Sequence, residues 1–190
     1  MRRIVAAVGL ALCASGAPAA DFGLGVSVRS DDGALYAPID ISKSFRLEPS
    51  VRYASSEQTN DVTSGTEIKQ LEVGIGVFGL AQVTESARLY YGVRLAYLDQ
   101  QIDSFYFGNS GRTTVEDGQD GYSVGPTLGF EYLIGKHFSV GGEASYAFVD
   151  LEGERVATTR SLFGQVFQTR NDLSDESSGT QTRVIFRYMF

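Results

Sequence analysis

The chain has 190 residues but no tryptophan, one cysteine, one histidine and four prolines, and its only lysines are Lys43, Lys69 and Lys136. One cysteine excludes a disulfide-stapled miniprotein. One histidine, His137, leaves a His/Cys metal site without enough ligands. Lys and Arg number 16 against 23 Asp and Glu, a formal charge of −7, so the basic footprint of a nucleic-acid binder is missing. Beyond the N-terminus no apolar run reaches the roughly 18–20 residues that a spanning helix needs. What is there is 22 glycines, ten tyrosines and twelve phenylalanines in a chain 43% hydrophobic. That is the composition of a β protein, not of a disordered acidic tail.

The first segment reads as an address. Met1-Arg2-Arg3 and the apolar run Ile4–Ala14 form the charged and hydrophobic regions of a secretory signal peptide. Ala17-Pro18-Ala19 supplies small residues for cleavage after Ala19, or else after Ala20. The run is too short for a membrane anchor, and Leu12 before Cys13 argues against a lipoprotein site. Residues 20–190 are then a single exported domain, without cysteine and with its charge deepened to −9 by the loss of Arg2 and Arg3.

Past this segment, apolar residues recur at every second position, the mark of strands with two chemically different faces. The first run carries Phe22, Leu24, Val26 and Val28; after Asp31-Asp32-Gly33 a second carries Leu35, Ala37, Ile39 and Ile41. Further runs begin at Phe45, Leu71, Leu89, Tyr122 and Phe138, and the eighth holds Val184, Phe186, Tyr188 and Phe190. Eight antiparallel strands are expected. The connections alternate as well: Ser42–Ser44, roughly Gly79–Arg88 and Ile134–His137 are short, while those after the third, fifth and seventh runs are long and polar, the last running from about Leu151 to Gly179. Short turns at one rim and long loops at the other fit an all-β, eight-stranded, antiparallel up-and-down transmembrane β-barrel.

Which face meets lipid follows from three features. Three lysines, all near strand ends or turns, are too few for a water-facing exterior. Aromatics on the apolar face gather at strand ends, with Phe22, Phe45, Tyr132, Phe138, Tyr188 and Phe190 at one level and Tyr53, Tyr97, Tyr122, Tyr146 and Phe148 at the other. Two such girdles suit the two interfaces of a membrane. Third, the sequence finishes on an aromatic alternation, Phe186, Tyr188, Phe190.

With its signal peptide, eight runs and terminal phenylalanine, the chain resembles the small bacterial outer-membrane β-barrels of the OmpA transmembrane-domain, OmpX and opacity-like surface antigen type. The resemblance is architectural and covers nearly the whole exported chain. It implies that Phe186, Tyr188 and Phe190 are the signal read by the barrel-assembly machinery. The OmpA periplasmic peptidoglycan-binding domain has no counterpart here, so anchoring to the cell wall is not implied.

Inward positions collect both signs of charge: Arg29, Arg46, Arg52, Arg94, Arg183 and Arg187 against Asp40, Glu48, Glu72, Glu131 and Glu143. Counted from the turn end, Arg29, Arg52, Glu72, Arg94, Glu143 and Arg183 fall at one height, which predicts a single layer of ion pairs across the barrel. An eight-stranded barrel is just wide enough for its own side chains, so this network reads as a plug. A narrow channel is the competing reading.

Chemistry is scarce. His137 sits in the short turn Gly135-Lys136-His137, away from the outer rim where barrel enzymes acting on lipid A work, and no Ser–His or Asp–His dyad suggests itself. Glu116-Asp117-Gly118-Gln119-Asp120-Gly121 resembles a loose cation-binding loop without full EF-hand spacing, and Asp172, Asp175 and Glu176 could bridge cations to lipopolysaccharide phosphates. Solvated acidic loops explain both more simply. The remaining candidates are apolar islands in the outer loops, Phe105-Tyr106-Phe107 and Leu162, Phe163, Val166, Phe167. They would form a patch for a protein partner, or would pack on strands prolonged beyond the membrane.

The expectation is therefore a monomeric, non-enzymatic outer-membrane barrel with no cofactor and no nucleic-acid partner. Its termini are periplasmic and its loops extracellular. Its partners are outer-membrane lipid and lipopolysaccharide, the assembly machinery, and an extracellular protein held by the loops.

Overall fold

The computed structural model describes residues 20–28, 33–60, 63–108 and 111–190. The expected signal peptide and Arg29 lie outside the described residues. Nine strand segments follow one another: β1 Asp21–Val28, β2 Gly33–Tyr36, β3 Ile39–Ser42, β4 Phe45–Asn60, β5 Ser64–Thr84, β6 Ala87–Gly108, β7 Gly111–Ile134, β8 Phe138–Ser161 and β9 Val166–Met189. Each long strand pairs antiparallel with the next, and β1 pairs with β9 from Gly23↔Met189 to Val28↔Val184, which closes the ring.

Nine segments make eight staves. β2 and β3 both lie between β1 and β4, and together they are the second run of the sequence, interrupted at Ala37-Pro38. Proline has no N–H to give a ladder. The carbonyls carry the pairing across instead: Gly23 N–H donates to Pro38 O and Ala37 N–H to Pro49 O, both at 2.9 Å.

Long polar loops, by contrast, are not found among the described residues. β7, β8 and β9 have 24 residues each, about 80 Å of strand, where about ten residues suffice to cross a bilayer. The segment 151–179 is the paired outer half of the β8–β9 hairpin around a tip at 162–165. The ladder is made by the backbone, so polar residues such as Thr158, Thr159, Ser177 and Ser178 can carry it; only the hydrophobic signal of the strand is missing. The short turns lie where expected, at Lys43-Ser44, Glu85-Ser86 and Gly135–His137, with Gly135 supplying a φ of 72°.

In the lower, closed part of the ring the pleat sorts the faces. Arg46, Glu48, Tyr36, Phe78, Tyr90, Glu131 and Arg187 are buried inside, while Leu24, Leu35, Tyr91, Leu128, Phe130 and Val184 stand exposed outside. The apolar face is the outer one. All eleven girdle aromatics are exposed there, and several touch: Phe22 and Phe190 lie 5.1 Å apart, Tyr97 and Tyr122 5.6 Å, Tyr146 and Phe148 5.1 Å.

Above Val28 the described residues no longer close the ring. Among the described residues, β9 from Val166 to Arg183 pairs only with β8, and β4 from Arg52 to Asn60 only with β5. The outer halves of β4 to β9 thus form one six-stranded sheet whose edges, β4 and β9, have no further strand partner among the described residues.

Candidate functional sites in the lumen and on the protruding sheet

Inside the barrel the inward charges form an alternating chain rather than one layer. Asp40 on β3 receives Arg46 Nε at 2.5 Å and Arg88 Nη1 at 3.1 Å. Both arginines also meet Glu131 on β7, Arg46 through Nη1 at 3.1 Å and Arg88 through a closer pair. Arg187 on β9 bridges Glu131, at 2.9 Å from Nη1, to Glu48 on β4, at 2.9 Å from Nε. Glu48 accepts from Arg94 Nη2 at 2.5 Å, and Arg94 Nε reaches Glu143 at 2.8 Å. Glu143 finally holds Arg183, whose Nη1 donates to Tyr36 Oη at 2.7 Å.

The single layer expected from counting is thereby corrected. Arg52 and Glu72 pair separately at 2.6 Å, higher in the lumen, while Arg94, Glu143 and Arg183 belong to a column that continues down to Asp40. Heights counted along the chain mislead because the strands of a barrel are tilted and staggered against one another. Between the two levels lies a polar cavity of about 130 Å³, lined by Ser50, Gln70, Ser123 and Gln181 among others.

Four members escape a reading of the sequence. Arg88 falls in an expected turn, although it shares the parity of Arg94 on β6; Tyr36, Phe78 and Tyr90 fill a lumen expected to be polar. The arginines lie over their rings: Arg94 is 4.9 Å from the Phe78 centroid and Arg187 4.9 Å from that of Tyr90. Tyr90 Oη also donates to Glu143 at 3.1 Å. Arg94 and Arg187 therefore each have a carboxylate at the edge of the guanidinium and an aromatic face beside it, both favourable to a cation out of water.

The two acidic segments are strands, not loops. Along β7 Glu116 and Asp120 face outward and Asp117 inward, where Asp117 receives Arg155 through two bonds of 2.8 and 2.7 Å. These bonds hold the Arg155 guanidinium above its ordinary pKa. Asp172 and Glu176 face out on β9 while Asp175 faces in. Neither set can converge on one ion, and no group of three or more metal-ligating side chains occurs among the described residues. His137 Nδ1 donates to Met189 O at 2.9 Å and stacks on Tyr188, so the ring fastens the turn to the end of β9.

The apolar islands are not brought together. Phe105 and Phe107, 6.2 Å apart on the outer face of β6, share Arg112 at 5.3 and 5.5 Å, while Tyr106 faces the other way. Leu162 and Phe163 stand at the β8–β9 tip, 75% and 92% exposed, with Val166 and Phe167 below them. Three strand steps, about 14 Å, separate the groups.

No protein-family model matches the chain, and no curated protein sequence does. Among solved structures, a major outer membrane protein from Thermus thermophilus superposes with a TM-score of 0.64 at 11% identity, covering 91% of this chain and all of that one. CarO and CarO2 of Acinetobacter baumannii align at TM-scores of 0.43 and 0.44, each at 10% identity, over 88% and 91% of this chain and 97% and 100% of theirs. At such identities the likeness to the Thermus protein is one of fold.

Proposed function

We propose that the chain is a non-enzymatic outer-membrane barrel. Its lumen is a structural plug, and its protruding sheet presents a binding surface outside the cell. The observation that carries this reading is the pairing of a lower ring closed by the Asp40-to-Arg183 charge column with an upper sheet left open at β4 and β9. The apolar outer face and its two girdles support burial in lipid, and the outer-membrane protein from Thermus shares the fold. In this orientation the short turns and Phe190 face the periplasm. Phe186, Tyr188 and Phe190 then serve the assembly machinery, and the exposed acids above the upper girdle meet lipopolysaccharide.

An open edge exposes backbone N–H and C=O groups to an incoming strand, and the apolar tip at Phe163 offers an anchor beside it. An extracellular protein with an extended segment is the partner this surface fits. In a strain lacking the protein, complementation by the full chain is compared with a version in which 151–179 is cut to a short turn, at matched surface levels. Rescue of envelope integrity by the full chain alone supports the reading. Equal rescue by the trimmed chain places the function in the barrel body.

A further inference from the structure

A groove of about 1030 Å³ crosses the outer wall where the upper girdle meets the apolar band. It follows two adjacent rungs of the sheet. The lower rung is apolar, with Pro49, Ile75, Leu95, Val124 and Phe148 opposite one another on β4 to β8. The upper rung runs Val73, Tyr97, Tyr122 and then changes character, ending in Asp150 on β8 and Glu176 on β9.

Asp150 and Glu176 are direct cross-strand partners on one face. Like charges so placed repel, and among the described residues no cation lies against either. The opposite end of the groove, at Pro49 on β4 and Ile75 on β5, carries no charge. The groove therefore runs from an acidic mouth on β8 and β9 to an apolar end on β4 and β5. Six strands at about 4.8 Å spacing give it a length of about 24 Å, the shape of an extended hydrocarbon chain.

We propose that this groove binds a single-chain amphiphile with a positively charged head, a long-chain amine or quaternary ammonium. The chain lies along Phe148, Val124, Leu95 and Ile75, and the head sits between the Asp150 and Glu176 carboxylates. An anionic head of the same length would meet two negative charges, so the acidic mouth selects by sign while the rungs supply the apolar contact. The inference rests on the reading that the outer face meets lipid.

The absence of tryptophan makes the test direct. Leu95→Trp places a lone reporter in the groove, Phe148→Trp a second that exchanges ring for ring, and Leu24→Trp a reference on β1, exposed but outside the groove. Each is refolded into phosphatidylcholine vesicles and titrated with a brominated-chain alkyltrimethylammonium or the alkyl sulfate of equal length. At the groove reporters, the cationic probe is expected to reach half-quenching at about five-fold lower membrane concentration, relative to the ratio at Leu24→Trp. Asp150→Asn with Glu176→Gln is expected to abolish that preference. An equal ratio at the groove and reference reporters, or a preference that survives the double substitution, overturns the proposal. If no reporter is quenched by either probe, the lipid-facing reading itself fails.

Discussion

Arg187 and Glu48, 139 residues apart in the chain, meet with Nε at 2.9 Å and Nη2 at 2.8 Å from the same carboxylate oxygen. Both are buried, and each has a second partner, Glu131 for the arginine and Arg94 for the glutamate. A charge deprived of its partner here has no water to turn to. Arg187→Met and Glu48→Gln are each expected to destabilise the barrel by about 3–5 kcal/mol, measured by urea unfolding in lipid vesicles. Glu48→Leu with Arg187→Met is expected to lose less than the sum, because an apolar pair removes both charges at once.

The same column predicts electrical silence. Arg46 and Glu131 are fully buried in mutual contact, so no file of water passes between them. Refolded protein in a planar bilayer is expected to show no steady conductance, and Glu72→Gln, above the column, to leave it silent. Steady current that changes in the Glu72 variant would refute the plug and favour a channel.

Packing inside the ring gives a paired prediction. Gly129 lies opposite Tyr90 on the lumen side, and a methyl group there would fall within the Tyr90 ring. Gly118, higher on the same strand, has open space at that position. Gly129→Ala is expected to cost about 1–3 kcal/mol, and Gly118→Ala less than about 0.5 kcal/mol, compared by denaturant midpoint.

Phe190 contacts Phe22 and Tyr188 at the turn rim, at 5.1 and 5.5 Å. If it is read during assembly, Phe190→Ala should lower the amount of folded protein in the outer membrane while refolding in detergent proceeds as before. An equal loss in both settings would make Phe190 a packing residue only.

Alternation made the faces legible: Leu24, Tyr91 and Phe130 are outside, as their parity requires, and Glu48 and Arg187 inside. Three things were hidden for physical reasons. The outer halves of β8 and β9 are hydrogen-bonded ladders without an apolar face, so no periodicity marks them. Arg88 lies next to the Glu85-Ser86 turn, where polar residues are ordinary, and only its parity with Arg94 betrays an inward side chain. The column from Asp40 to Arg183 depends on the stagger between strands, which distance along the sequence does not encode.

The closure between the first and last strands has a kinetic meaning. β8 and β9 are ladder partners from Phe138↔Tyr188 to Arg160↔Val166, but among the described residues β1 holds β9 only from Phe22 to Val28. Hairpins of neighbouring strands can form as they emerge, whereas this short seam joins the two ends of the domain and must wait for Val184–Met189 to arrive. It joins the first strand to the last and is expected to form after the long hairpins, so the barrel should unzip there, releasing β1 from β9 while those hairpins are still intact.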